Sequence, residues 1–131
     1  MKRVKYFAVL TALVLGLCAC RGENKPSKIT YEQISAKEAK EIMDTEKDYI
    51  IIDARTTEEF NEGHIEGAIL IPEYEITKRA SAELPNKDAL ILVYCRSGRR
   101  SKIAADALVN LGYTNVKEFG GIIDWPYETV K

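Results

Sequence analysis

The chain is poor in the residues from which many functions are built. Its 131 residues hold three cysteines, one histidine and one tryptophan. No Cys-x-x-Cys pair occurs, and a lone histidine with scattered cysteines is a poor basis for zinc, so no metal is expected. Nor is one sign of charge in clear excess: 19 basic side chains stand against 20 acidic ones, a formal net charge of −1. Lys2, Arg3 and Lys5 are the charged residues of the first nineteen positions; beyond them 16 basic remain against 20 acidic, a formal −4. A field suited to nucleic acid is therefore missing outside one local arginine cluster, and no nucleic-acid partner is expected. Long apolar runs are few, and no internal repeat or low-complexity tract is present. This length allows one compact domain and little else.

One apolar run, Phe7–Leu17, follows the basic start Met1–Tyr6. It is short for a permanent membrane span and suits the central region of a signal peptide. It ends in Leu17-Cys18-Ala19-Cys20, which resembles the lipoprotein box of bacteria. The resemblance implies residues 1–19 as a signal peptide that carries Cys18 away, with a diacylglyceryl group on Cys20. An ordinary secretory signal cut nearby is the alternative. Residues 20–28 read as the lipidated cysteine and a Gly/Asn/Pro/Ser-containing tether. Arg21–Lys28 reaches at most about 25–30 Å, so the domain of residues 29–131 would stay near the membrane surface. The expected location is outside the cytoplasm, anchored to a bacterial cell membrane. Only Cys95 then remains as a free thiol, and no disulfide framework is possible within the domain.

The stretch from Val93 to Ser101 organises that domain. The apolar run Ala89–Tyr94 ends at Cys95, and a helix-like segment begins about six residues later. Arg96, Ser97, Gly98, Arg99 and Arg100 lie between. A cysteine so placed sits where a strand ends and a helix N-terminus begins. Backbone N–H groups, the helix dipole and nearby arginines all favour a negative sulfur there. The thiolate is the nucleophile, so Cys95 is the candidate reactive atom.

Around this loop the chain alternates strand and helix. Ile29–Ile34 is a candidate short strand. Ser35-Ala36-Lys37-Glu38 has capping-box spacing and opens a helix through about Asp44, with Ala39, Ile42 and Met43 inward. Tyr49–Ile52 is a β-branched run suited to a strand buried on both faces, followed by Asp53-Ala54-Arg55. Thr56–Glu59 starts a short helix at Phe60. A tight loop from Gly63 to Ala68 feeds the strand Ile69–Ile71, stopped by Pro72. Ile76–Leu84 is a weakly amphipathic helix, and Leu90–Tyr94 the strand that delivers Cys95. The helix Ser101–Leu111 places Ile103, Ala104, Ala107, Leu108 and Leu111 inward, with Ser101 as its cap and Gly112 just past its end. Asn115–Phe119 is the last strand. Such alternation implies a mainly parallel sheet covered on both faces, with ligands beyond the carboxyl ends of the strands. Asp53, Arg55 and Cys95 all fall at such ends.

From about Ile29 to Lys131 the chain resembles a single-domain rhodanese. The resemblance is carried by Ile51–Arg55, Glu59-Phe60 with Gly63–Ala68, Cys95–Ser101, and Gly112-Tyr113 with Val116, Gly120-Gly121 and Trp125. It implies an α/β, three-layer rhodanese-like domain with a central sheet of about five strands. It also implies sulfurtransferase activity. The cysteine would take sulfane sulfur from a small anionic donor such as thiosulfate, carry it as a persulfide, and yield it to a thiol or cyanide-like acceptor, with no cofactor. Arg96, Ser97, Gly98, Arg99, Arg100 and Ser101 form the expected substrate-binding loop, with Arg100 facing the site more than Arg96. Phosphatase and arsenate-reductase relatives carry Cys-x5-Arg, a loop one residue longer; here the sixth residue after Cys95 is Ser101, and Arg100 comes one earlier. A loop of this length suits sulfur better than phosphate.

The remaining residues of interest are expected to be structural. Asp53 and Arg55 tie neighbouring loops at a strand end, and Glu59 is a plausible partner for Arg55. His64 in Gly-His-Ile-x-Gly reads as a turn held by its imidazole rather than a general base. Trp125 reads as core packing. The second functional reading is a non-catalytic binding, sulfur-relay or redox-sensing module, whose Cys95 would form a sulfenic acid or mixed disulfide under oxidant.

Overall fold

The apolar run that ends at Cys95 becomes the middle of the molecule. A computed structural model describes residues 28–131; the expected signal peptide, lipid site and all but the last residue of the tether lie outside the described residues. Five strands form one sheet: β1 (Glu32–Gln33), β2 (Ile50–Asp53), β3 (Ile69–Leu70), β4 (Ile91–Cys95) and β5 (Val116–Gly121). Their order is β1-β5-β4-β2-β3, and every pairing is parallel. β4 lies at the centre, and none of its residues is more than 1% exposed. A strand covered on both faces has no need of polar alternation, which is why Ile-Leu-Val-Tyr-Cys is unbroken by charge.

Alternation along β4 still decides which way each side chain points. Ile91, Val93 and Cys95 join a core formed with α3 (Ile76–Glu83) and α4 (Arg99–Asn110) through Ile76, Ala80, Ala104, Ala105 and Leu108. Leu92 and Tyr94 face the other way, toward Ala39 of α1 (Ala36–Thr45), Phe119 and Trp125. The fold therefore matches the expected three-layer α/β architecture, and Trp125 is core packing. Ser35 and Glu38 form the reciprocal capping box that starts α1, with Glu38 N–H donating to Ser35 Oγ at 3.1 Å and Ser35 N–H to Glu38 Oε2 at 2.7 Å. Thr56 and Glu59 do the same for α2 (Thr57–Glu62). Gly112 takes φ +98° just past α4, as a helix-ending glycine should.

Four expectations are corrected. The first strand shrinks to Glu32–Gln33 because it is a sheet edge with both residues exposed. The third ends at Leu70, although Ile71 is fully buried and donates its N–H to Asp53 O at 3.0 Å. α4 begins at Arg99, two residues early, because Gly98 at φ +103° turns the chain into the helix itself; Ser101 is thus inside the first turn and is not a cap. Ile103 lies on the outer side of α4, 43% exposed, because the buried stripe runs through Ser101, Ala104, Ala105 and Leu108.

Tyr113, fully buried, fastens the end of α3 to the segment before β5. Its hydroxyl donates to Leu84 O at 2.6 Å and also lies 2.9 Å from Ala80 O. Tyr113→Phe strips a buried carbonyl of its donor and should destabilise the domain by about 1–2 kcal/mol. In urea unfolding the midpoint should fall with the m-value unchanged.

Candidate active site

Every group around Cys95 is placed by the junction of β4 with α4. The three residues Arg96, Ser97 and Gly98 make the turn. Gly98 adopts φ +103°, a conformation that side chains strongly disfavour, and so sends its N–H back to Cys95 Sγ at 3.0 Å. Cys95 is 1% exposed, its sulfur lying on the floor of the loop. Ser101, fully buried in the first turn of α4, places its Oγ 3.4 Å from the same sulfur. An amide donor and the start of a twelve-residue helix therefore converge on Sγ, a setting that favours negative charge.

A register shift fixes what lies beneath the loop. Val93 pairs with Glu118, but Cys95 pairs with Gly121, so β5 carries one residue more than β4 there. Gly121 consequently lies directly under the loop. A Cβ at this position would stand 2.0 Å from Arg96 O and 2.5 Å from Ser97 N, both backbone atoms, so only glycine fits. Arg96 O in turn accepts from Ile123 N–H at 3.2 Å.

The charged residues divide into paired and unpaired. Arg55 closes on Asp53, donating through Nε at 2.9 Å and Nη2 at 2.7 Å, with its own backbone N–H adding a bond at 3.0 Å. Glu59 is therefore not Arg55's partner. Its carboxylate instead takes both terminal nitrogens of Arg100, at 2.7 and 2.9 Å, across 41 positions of sequence. Asp53 is already satisfied by Arg55, two residues on, which leaves Glu59 to the arginine of the loop. The Arg100 hydrogen bonds hold the Glu59 carboxyl down to about 2; burial opposes the shift, and the Arg100 charge and Thr56 add to it. Arg100, held protonated chiefly by its hydrogen bonds to Glu59, also lies within the influence of Cys95. Arg96 and Arg99 are exposed and form no ion pair among the described residues, so their charge faces solvent at the loop's mouth.

His64 sits away from the sulfur chemistry in its own turn. Its ring stacks on Phe60 with centroids 3.6 Å apart, Nδ1 bonds with Phe60 O at 2.9 Å, and its backbone bridges Val130. Two residues escaped the sequence reading. Tyr94 donates to Asp53 Oδ2 at 2.6 Å and accepts from Ile65 N–H at 3.1 Å; burial, then the Asp53 charge, pushes its hydroxyl well above the usual range. Glu118, 3% exposed, accepts from Ser101 Oγ at 2.6 Å and Gly120 N–H at 2.8 Å. A carboxylate at the same strand parity as Val116 was the available signal for it. A cavity of about 560 Å³ lies between the end of α1, the start of β2 and Trp125–Glu128, and no residue from 95 to 101 lines it.

A parallel sheet that delivers a cysteine into an amide-backed, arginine-flanked loop defines a class of thiol-centred α/β domain. Residues 35–126 match the Rhodanese-like domain family, and the chain belongs to it. It is similar to the thiosulfate sulfurtransferase PspE of Escherichia coli, 39% identical over 80 residues that cover 61% of this chain and 77% of that protein. It is also similar to a sulfurtransferase of Allochromatium vinosum, 42% identical over 85 residues covering 64% and 77%. Among solved structures, a rhodanese with anions from E. coli superposes with a TM-score of 0.60 at 37% identity, covering 63% of this chain and 98% of the other.

The Glu59–Arg100 pair carries its own pH signature. Glu59 binds its proton at about 2 when folded, below the ordinary 4.5, so its stabilisation is complete above that ordinary value and is lost as pH falls toward 2. Glu59→Gln should cost on the order of 1 kcal/mol at pH 7, since the pair is partly exposed. Measured by urea unfolding against pH, the gap between variant and parent should be constant above about pH 5 and narrow below it.

Proposed function

We propose that this protein is a membrane-tethered, extracytoplasmic sulfurtransferase that moves sulfane sulfur through a persulfide on Cys95. The observation that carries the reading is the Gly98 N–H aimed at Cys95 Sγ at 3.0 Å, at the head of α4. Family membership and the sulfurtransferase relatives support the reaction class. In the first step the Cys95 thiolate attacks the outer sulfur of a donor such as thiosulfate. A new S–S bond forms, the donor's S–S bond breaks, and sulfite leaves with the electron pair. The persulfide keeps its negative charge on the outer sulfur, where a backbone amide directed at the thiolate suits an extended anion as well. A thiol or cyanide-like nucleophile then bonds to the outer sulfur, and Cys95 departs as thiolate. Arg96 and Arg99, unpaired among the described residues, suit an anionic donor electrostatically, and Arg100 contributes charge from within its pair with Glu59. No cofactor or metal enters the scheme.

A second reading, a non-catalytic binding module, is favoured by one observation, the near-complete burial of Cys95. Intact mass separates the two. After thiosulfate the full chain should gain about 32 Da, lose it again with cyanide, and show no gain as Cys95→Ser. A folded protein that gains nothing from thiosulfate, with its Cys95 thiol shown to be free, would establish the second reading instead.

The tether is proposed on the residues of the lipoprotein box. In a bacterial host, the chain should incorporate radiolabelled fatty acid and partition with membranes. Cys20→Ser should abolish both, while the soluble domain keeps its thiosulfate-dependent mass gain.

A further inference from the structure

Glu118 is a buried carboxylate that the sulfur-transfer scheme leaves without a task. It sits on β5 opposite Val93, on the Cys95 side of the sheet, 3% exposed. Its Oε1 lies 2.6 Å from Ser101 Oγ, and Ser101 Oγ lies 3.4 Å from Cys95 Sγ. A serine hydroxyl has one hydrogen to give. Three oxygens compete for it here: Glu118 Oε1 at 2.6 Å, Gly98 O at 3.1 Å and Gly120 O at 3.3 Å. The shortest contact is to the only charged acceptor and has the length of a strong charge-assisted bond. The hydrogen therefore belongs to Glu118, and the hydroxyl turns a lone pair toward the sulfur.

We infer that Glu118 is a positioning residue for Cys95, acting through Ser101 to make the hydroxyl an acceptor from the thiol rather than a donor to the thiolate. The inference rests on Cys95 being the sulfur-carrying atom, as proposed above. Two polar contacts on one sulfur then act in opposite directions: the Gly98 amide supports the anion, and the Ser101 lone pair supports the S–H form. Reversing Ser101 would sacrifice a charge-assisted bond for a weaker one to sulfur, so the arrangement persists when the thiol ionises. The other ionisable groups facing the trio are Arg100 of α4, which lies within the influence of Cys95, and Tyr31 ahead of β1, which lies within the influence of Glu118 and Asp106. For the reaction the consequence falls on the leaving step. Once loaded, Cys95 must depart as a thiolate, and a thiolate given less support leaves more slowly. Glu118 thereby favours holding the outer sulfur until a strong acceptor arrives.

The test is the pH profile of Cys95 alkylation by iodoacetamide in the full chain, read on the tryptic peptide Asp88–Arg96 by mass. In Glu118→Gln, which keeps the shape and removes the charge, the profile's midpoint should move to lower pH by about half a unit or more. Ser101→Ala gives the sharper sign: a thiol deprived of its acceptor shifts the midpoint down, whereas a thiolate deprived of a donor shifts it up. An upward shift in Ser101→Ala, or no shift in a folded Glu118→Gln, overturns the inference. Should Glu118→Gln fail to fold, Ser101→Ala alone decides. Persulfide preloaded with thiosulfate should also discharge to cyanide about threefold faster in Glu118→Gln than in the parent. If thiosulfate loads no form of the protein while the profiles shift as stated, the sulfur-transfer reading falls and the positioning role on the thiol stands. If loading succeeds and the profiles stay put, the reverse holds.

Discussion

The site depends on the buried carboxylate of Asp53. A carboxylate with no exposure is tolerable only when its lone pairs are taken, and here they are taken by the Arg55 guanidinium, the Arg55 N–H and the Tyr94 hydroxyl. The donors come from two residues, Arg55 just past β2 and Tyr94 on β4, and each fastens a further piece of the architecture. Arg55 reaches on to Gly63 O at 2.7 Å, and Tyr94 receives Ile65 N–H, so the loop between α2 and β3 is drawn onto the strand ends. Tyr94 immediately precedes Cys95, and Asp53 is its register partner on β2. Stripping one partner from such a pair leaves an uncompensated buried charge, which typically costs about 3–5 kcal/mol. The ledge from which Cys95 projects is thus held by electrostatics on one face while α4 packs on the other.

This arrangement also sorts the arginines. A loop rich in guanidinium groups could collapse onto any nearby carboxylate. Asp53 is saturated by a neighbour two residues away, and Glu59 is both the acid of the α2 capping box and the bidentate partner of Arg100. With those two acids occupied, Arg96 and Arg99 stay exposed beside the loop. Positive charge at the mouth is therefore a result of how the acids are used, as much as of how many arginines the loop contains.

Local signals made most of this legible. The unbroken run into Cys95, the two capping boxes, the glycine after α4 and the alternation of strands with helices each depend on residues within a few positions of one another, and each appears in the structure. What stayed hidden was set by distance in sequence. Glu59 and Arg100 are 41 positions apart, and no periodicity distinguishes that pairing from Glu59 with Arg55. Glu118 stands in a strand that also carries Lys117, so its burial follows only from parity with Val116 and from the hydroxyl waiting on α4. The reading of Ser101 as a cap failed for a related reason. Its hydroxyl suits that role, but Gly98 had already turned the chain, which freed the side chain for the interior.

The Gly120-Gly121 pair shows how the two faces of the sheet are coupled at the sulfur. The extra residue in β5 lets Glu118 remain opposite Val93 while Gly121 comes opposite Cys95; without it, one of the two would be out of place. Gly120 takes φ +85° in that bulge, and Gly121 leaves the loop room to lie flat. The chain then enters Ile122–Asp124, from which Ile123 N–H holds Arg96 O. Trp125 follows at once and packs against Phe119 and Tyr127, with ring centroids 5.6 and 4.9 Å away. The loop that cradles a sulfur on the α4 face is therefore anchored through an aromatic cluster on the α1 face. A substitution in that cluster, far from Sγ, would loosen the amide that points at it, because the same short segment serves both.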